Sequence, residues 1–410
     1  MLTLADLTTE GRDSHSAQPA DLRRRNVSAV MRTVLDHGPI ARADVATVTG
    51  LARGSVTKLT ARLIEAGLLH ELPPSEPDRQ PGRPRVPVAI DSRYRVIGVH
   101  IGLPWTIIGA VSLNGEVVSQ KTLPHRGTSF RSIVRRAAAE VRRMSTAQAG
   151  REVLGVGASV GGWVDPAQGL VVEQKALGWQ EAPLLEALSE QLKTPVLLDN
   201  TVRAIALAES WFGAGIDVRN LLHVFIGNVV GAGMVVDRKL HYGPKSAAGY
   251  LDHLPVIGAV GAQECECGRR DCLQVVASDT AVMEAAQQQG LAGPDSTVGD
   301  LAALAREGDE RASALLRERA RNVGSAIALL VEILNPDRVV LGGGTVADPD
   351  YMADVHEGMR RRLRRPAHVD VTELVVPTSF GQHAVMLASA TLFLDAFYRD
   401  PMAFAPLAVG

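Results

Sequence analysis

Two stretches of this chain carry the same order of segments, and that duplication constrains the fold more than any single motif. The first begins at Tyr94, where YRVIGVHIG, TIIGAVSL and GEVVSQKTL read as three successive strands, with Asn114-Gly115 as a tight hairpin turn between the last two. A helical segment, SFRSIVRRAAAEVRRM, and a buried strand, VLGVGASV, follow. From Leu221 the order repeats: LLHVFIGN, GAGMVVD and RKLHYG, then a long helix around ERARNVGSAIALLVEIL, the strand RVVLGGG and a helix before VDVTELVV. Two similar α/β halves predict a bilobed body with its cleft between them. A chain of 410 residues has room for this body and for a further small domain, because a single core stops growing at roughly 250–300 residues.

Ahead of the repeat the periodicity is helical. DLRRRNVSAVMRTVLD places Leu22, Val27, Val30, Val34 and Leu35 near helical spacing, and His37-Gly38-Pro39 ends the run. ARADVATVTG gives a short second helix, and LARGSVTKLTARLIEAGLL a third with Val56, Leu59, Leu63 and Ile64 on its apolar side. A short helix, a Gly turn and a longer helix is the helix-turn-helix order. Arg53, Ser55, Thr57 and Lys58 fall in the first turns of the third helix, where donors meet base edges and phosphates; Arg62 lies one turn further on, and Arg42 opens the second helix. The strand-like LLHEL, a Pro-rich link and VPVAI then resemble a hairpin wing, with Arg83-Pro84-Arg85 as a basic tip suited to a narrow minor groove.

Charge follows the same division. Residues 21–90 hold 11 Lys and Arg against 7 Asp and Glu, whereas residues 91–410 hold 31 against 35. A basic segment on an acidic body predicts that one end meets a polyanion. Residues 21–90 therefore read as a winged helix-turn-helix DNA-binding domain, with a small helical dimerisation domain on a stiff linker as the alternative. MLTLADLTTEGRDSHSAQPA, residues 1–20, lacks the basic start and apolar core of a secretory signal and reads as a disordered tail. No run of eighteen apolar residues is present, so the expected location is cytoplasmic with no membrane partner. The remaining boundaries are a first α/β lobe over 91–215 and a second over 216–410.

The cysteines of the chain, Cys265, Cys267 and Cys272, lie together in ECECGRRDC. Three thiols in one short loop of a cytoplasmic protein point to a metal rather than a disulfide, and tetrahedral zinc needs a fourth ligand.

GASVGGWVDPAQGLV, ALGWQEAPL, VVGAGMVVD, the cysteine cluster and ILNPDRVVLGGG, in this order, resemble the ROK family. That family contains sugar kinases of the actin-like ATPase fold and repressors that add an amino-terminal winged helix; the resemblance spans nearly everything from Leu22 to the last helix. It implies His253 as the fourth ligand of a closed structural zinc, with Cys265, Cys267 and Cys272. It also implies where a kinase would keep its chemistry, and those positions are changed. His100 stands at the metal-assisting acid of the first turn, followed by Leu103, Pro104 and Trp105, and a proline has no N–H for a phosphate. In the second glycine turn, Gly227, Gly231 and Gly233 remain but Val229 replaces a glycine.

Register from Glu209 puts Thr201 at the catalytic base and Arg203 at its companion Asn, leaving Asp199 as a helix cap rather than a base. Among the sugar contacts, Lys175-Ala176-Leu177 replaces Pro-Asn-Leu, Tyr250 a Glu, Asp252 a Gly and Gln274 another Glu. The resemblance thus implies a DNA-binding transcription regulator, in the family's commoner mode a repressor of sugar-related or secondary-metabolism genes. Its kinase-like body would be inactive, without catalytic residues or an ATP requirement, and would serve dimerisation and effector sensing. A homodimer or homotetramer would set two recognition helices on a palindromic duplex. A sugar or sugar phosphate effector would meet Gly161, Gly162, Trp179, Asn200, Thr201, Arg203, Tyr250, His253 and Gln274. An active sugar kinase with a regulatory extension and a non-enzymatic protein-binding scaffold are the competing readings.

Overall fold

The computed structural model describes residues 19–73, 85–147, 151–261, 263–344, 346, 348–363, 370–381 and 384–404. Its contacts divide the chain into two units, Met1–Asn200 with Val385–Gly410, and Thr201–Ala384.

The first unit opens on the helix Pro19–His37, which buries Val27, Val30, Met31 and Val34. That helix starts ahead of the expected tail boundary at residue 20; the rest of the tail, residues 1–18, lies outside the described residues. β1 (Ile40–Ala41) leads into the helices Arg42–Thr49 and Arg53–Glu65, and β2 (Leu69–Glu71) pairs antiparallel with β3 (Pro87–Ile90), making a small sheet in the order β1-β3-β2.

The meander follows as β4 (Tyr94–Ile101), β5 (Trp105–Ser112) and β6 (Val117–Pro124), with Gly115 at φ 84° in its second turn. After the helix Phe130–Ala147, β7 (Glu152–Val160) runs parallel to β4. β8 (Trp163–Asp165), β9 (Leu170–Gln174) and β10 (Trp179–Ala182) form a small antiparallel sheet, and β11 (Val196–Asn200) closes the main sheet in the order β11-β7-β4-β5-β6. The run YRVIGVHI is apolar on both faces because β4 is central, whereas the edge strand β6 carries Ser119, Gln120 and Lys121. One face packs on Ile133, Val134, Ala137, Ala138 and Val141 of the helix Phe130–Ala147.

The other face of that sheet receives a helix from the far end of the sequence, Ala384–Arg399. A Cβ added to Gly157 would lie 1.8 Å from the Ser389 carbonyl oxygen, and one added to Gly98 would lie 2.3 Å from that of Met386. The helix therefore rests on bare strand backbone. Gly157→Ala is expected to push it off the sheet and destabilise the first unit by about 1–3 kcal/mol, read as a fall in its thermal midpoint. An unchanged midpoint would refute the contact.

The second unit repeats the plan. The helix Thr201–Phe212 precedes β12 (Leu221–Ile226), β13 (Val230–Val236) and β14 (Lys239–Leu240); β15 (Arg338–Gly343) and β16 (Val375–Pro377) complete a sheet in the order β14-β13-β12-β15-β16. In both units the first strand is central, its meander lies to one side, and two parallel strands lie to the other. The helix Glu310–Leu334 covers this second sheet with Val323, Ala326, Ile327 and Leu330.

The expected lobe limits of 91–215 and 216–410 are corrected at both ends. Residues 201–212 belong to the second unit because their helix packs on β12 and β13, and the chain returns to the first unit at Val385 because the last long helix covers β4 and β7. Among the described residues, no helix is long and apolar enough to cross a membrane.

Candidate functional site

The helix-turn-helix is held by a small core. Val45 and Ala46 of the helix Arg42–Thr49 and Val56, Leu59, Thr60 and Leu63 of the helix Arg53–Glu65 are buried, and Gly50 makes the turn in the left-handed region at φ 69°. The opposite side of the longer helix leaves Arg53, Ser55, Thr57, Lys58 and Arg62 exposed together.

Arg42 is not one of this set. Its Nε donates to Thr60 Oγ1 at 2.9 Å and its Nη2 to Glu71 Oε1 at 2.6 Å, so it braces the longer helix against β2. Arg85 is 70% exposed, with Asp44 at 3.5 Å; Arg83 lies outside the described residues. At the base of the hairpin, Leu69 pairs with Ile90 and Glu71 with Val88.

In the second unit His253, Cys265, Cys267 and Cys272 bring their ligand atoms within 4.8 Å of one another. Cys265 Sγ lies 3.3 Å from His253 Nδ1, and Cys267 Sγ lies 3.3 Å from Cys272 Sγ. These edges approach those of a tetrahedral site with metal–sulfur bonds of about 2.3 Å. The imidazole is oriented for this: Nδ1 faces the thiols while Nε2 is 3.8 Å from Asp252 Oδ2 and 3.7 Å from Glu266 Oε1, as expected of a ligating histidine steadied by carboxylates. A hydrogen bond from the Arg269 backbone draws the Cys267 thiol down to about 6, whereas burial pushes Cys272 up to about 11. Arg269 Nη2 also lies 3.3 Å from Cys272 Sγ, a placement that favours thiolate. The four side chains can hold a metal ion. His253 directs Nδ1 at the thiols.

The knot is anchored by Val256 N–H donating to Asp271 O at 2.7 Å and Cys265 N–H to Arg269 O at 2.7 Å, and the helix Leu273–Ala277 starts directly after Cys272. Gln274 on that helix donates Nε2–H to Asn228 O at 3.0 Å and accepts from Val230 N–H at 3.3 Å. Its amide ties down the turn between β12 and β13.

That turn is the altered glycine loop. Gly227 N–H donates to Val229 O at 3.1 Å, and Val229 is exposed at the tip. Gly233 has a packing role: an added Cβ would lie 2.7 Å from both the Val202 carbonyl oxygen and the Ala206 Cβ, so the glycine admits the helix Thr201–Phe212 onto β13. Arg203 is buried in the same layer; its Nη1 donates to Ser246 O at 3.0 Å and its guanidinium lies 5.3 Å from the Tyr242 ring centroid. Thr201 is buried at the start of this helix, and Tyr250 is exposed.

In the first unit, His100 at the end of β4 sets Nδ1 3.2 Å from Ser159 Oγ, which in turn lies 2.7 Å from Ser389 Oγ. Burial pushes the imidazole down to about 4, so it is neutral near pH 7. Leu103 and Trp105 are exposed in the adjoining turn. Asp199 is fully buried and accepts from Asn200 N–H at 2.6 Å, an architectural role at the strand end. Asn200 Nδ2 donates to Gly162 O at 2.6 Å; Gly162 sits at φ 84°, and an added Cβ on Gly161 would meet Gln174 Nε2 at 3.2 Å. Trp179 is a core residue. Its Nε1 donates to Thr128 O at 2.9 Å and its ring meets Phe130 edge-on at 5.0 Å.

The sequence reading missed two polar anchors. Glu209, used above only to set register, accepts from Thr378 Oγ1 at 2.6 Å, Ser379 N–H at 2.8 Å and Ala214 N–H at 2.9 Å. Buried Arg319 donates to Ala277 O at 2.7 Å and pairs with Asp279. An acid or Arg inside a helix run was the available signal, but Thr378 and Ser379 lie 169 and 170 residues from Glu209, and Ala277 lies 42 from Arg319.

A model of the ROK family matches residues 96–396. The transcriptional regulator Rv0485 of Mycobacterium tuberculosis is 31% identical over 391 residues, covering 92% of this chain and 86% of its own length. The DNA-binding transcriptional dual regulator NagC of Escherichia coli is 27% identical over 335 residues, covering 78% and 81%. Among solved structures, a ROK family transcriptional regulator, homolog of the E. coli MLC protein, superposes with a TM-score of 0.79 at 25% identity, over 93% of this chain and 98% of its own. The ROK hexokinase from Thermus thermophilus gives 0.62 at 26% identity and covers 73% of this chain and 98% of its own.

Proposed function

The chain belongs to the ROK family, and on that premise we propose that it is a DNA-binding transcription regulator, a repressor of sugar-related genes, on a kinase-derived body that performs no phosphoryl transfer. The observation that carries this reading is the exposed row of Arg53, Ser55, Thr57, Lys58 and Arg62 on a helix-turn-helix that precedes the family-matched body. Regulators of this family match over nearly the whole chain, while the hexokinase covers 73% of it. The residues at the kinase positions support the same view, since Thr201, Arg203, Lys175 and Gln274 offer neither a base nor the usual hydroxyl contacts.

Zinc is the metal we assign to His253, Cys265, Cys267 and Cys272, because one imidazole and three thiolates suit it and leave no ligand position for reactive water. Effector contact is assigned to Gly161, Gly162 and Asn200 of the first unit, which keep partial exposure. Such an effector alters operator binding only as far as it discriminates between the DNA-competent state and its alternative. Pairing of two copies about a two-fold axis would set two recognition helices on a palindromic operator, with Arg83 and Arg85 at the wing, in the cytoplasm.

Arg53→Ala or Lys58→Ala is expected to weaken operator binding by roughly 1–3 kcal/mol where the side chain reads a base edge, measured by titrated gel shift. Arg42→Ala should act differently, lowering the thermal midpoint because Thr60 and Glu71 lose their brace. Unchanged affinity of both the Arg53 and Lys58 variants would refute the assignment of this face.

A further inference from the structure

On the exposed side of the helix Arg53–Glu65, residues four apart form two neighbouring rows, Arg53-Thr57-Ala61 and Gly54-Lys58-Arg62. The second row is cationic, and a Cβ on Gly54 would meet nothing within 4 Å, so this row can approach a phosphate backbone closely. The first row has different chemistry. Thr57 looks like a hydrogen-bonding residue from sequence, but its Oγ1 donates to Arg53 O at 2.9 Å. Its single hydroxyl proton is thereby committed inside the helix, so Thr57 can donate nothing to a base edge and offers its methyl beside an oxygen that can only accept. Ala61 presents another methyl one turn along.

We infer that Thr57 is a specificity-determining residue that reads the 5-methyl group of thymine, with Ala61 extending the same apolar contact and Arg53 reading guanine at the head of the row. This rests on the DNA-binding reading above and states which bases that helix selects. An arginine pairs two donors with guanine O6 and N7, and thymine alone offers a methyl in the major groove. Four helical residues rise about 6 Å, close to two base steps, so the half-site should hold a guanine with one or two thymines about two steps away.

The test uses the full-length chain and duplexes recovered from a randomised 30-base-pair pool, written with about that length to cover two half-sites a turn apart. Each thymine of the recovered half-site is replaced in turn by deoxyuridine, which removes only the methyl. The wild type should lose about three- to fivefold in affinity at one or two positions, the effect of one buried methyl. Thr57→Ser keeps the hydroxyl and its internal bond and should lose that sensitivity at one position; Thr57→Val keeps a methyl and should retain it. Indifference of the wild type to every deoxyuridine, or full sensitivity in Thr57→Ser, would overturn the inference while leaving DNA binding intact. Recovery of no preferred duplex would overturn the DNA-binding reading itself, and this inference with it.

Discussion

Replacing Cys267 or Cys272 with serine is expected to lower the melting midpoint of the second unit by about 8–16 °C and to abolish stoichiometric zinc. The size follows from linkage: a metal held at a thousand times its dissociation constant contributes about 4 kcal/mol, and in a unit of this size each kcal/mol moves the midpoint by about 2–4 °C. The loss should spread beyond the loop. Cys272 directly precedes the helix that carries Gln274, and Gln274 holds Asn228 and Val230 at the turn between β12 and β13. Amide exchange at residues 227–230 should therefore quicken in the Cys272→Ser protein along with exchange in the loop itself. Protein purified gently without chelator that contains no zinc yet melts at the wild-type temperature would exclude a metal at these four residues.

The second large effect is an absence. The chain is expected to transfer no measurable phosphate from ATP to a hexose, amino sugar or pentose, and Thr201→Asp should not restore the reaction. Loss of a general base alone typically costs two to four decades in rate, or about 3–5 kcal/mol of barrier. A kinase deficient only in its base would regain part of that when the carboxylate is put back. The positions that the family resemblance assigns to the phosphates differ as well: His100 is neutral near pH 7, Pro104 lacks an N–H, and Val229 occupies the tip of the second turn. Gly233 serves the packing of the helix that starts at Thr201, so its presence in the motif is accounted for without a nucleotide. Coupled-assay turnover by the unmodified chain would overturn the non-enzymatic reading, and rescue by Thr201→Asp alone would show that the phosphate turns still function.

Local pattern made the fold legible wherever neighbours in sequence decide the structure. The alternation and turn residues of the two meanders, the apolar stripe of the helix Phe130–Ala147 and the Gly50 turn correspond to elements of the structure within a few residues. The same pattern could not reveal partners distant in sequence. Arg42 carries the charge of a DNA contact, yet Thr60 and Glu71 hold it; Trp179 and Arg203 have the chemistry of ligand contacts, yet Thr128, Phe130, Ser246 and Tyr242 surround them. The strand glycines Gly98 and Gly157 signalled that something lies against the sheet at backbone distance. Nothing local said that it is the helix Ala384–Arg399. The metal cluster was legible because three cysteines in nine residues leave few other chemistries, while His253 came from resemblance, and its Nδ1 lies 3.3 Å from Cys265 Sγ.

That returning helix has a consequence for how the protein is made. The helix-turn-helix and the strands β4 to β11 leave the ribosome first, but the helix that seals β4 and β7, and the Tyr398 carbonyl that accepts from Ser28 on the opening helix, arrive only after the whole second unit has been synthesised. At about 5–20 residues per second, this delay is roughly 10–40 s, long compared with the folding of most small domains. During it the face of the sheet that carries Gly98 and Gly157 has no helix to cover it. A polypeptide that terminates anywhere within residues 201–384 thus carries its recognition helix on a scaffold that lacks the helix Ala384–Arg399.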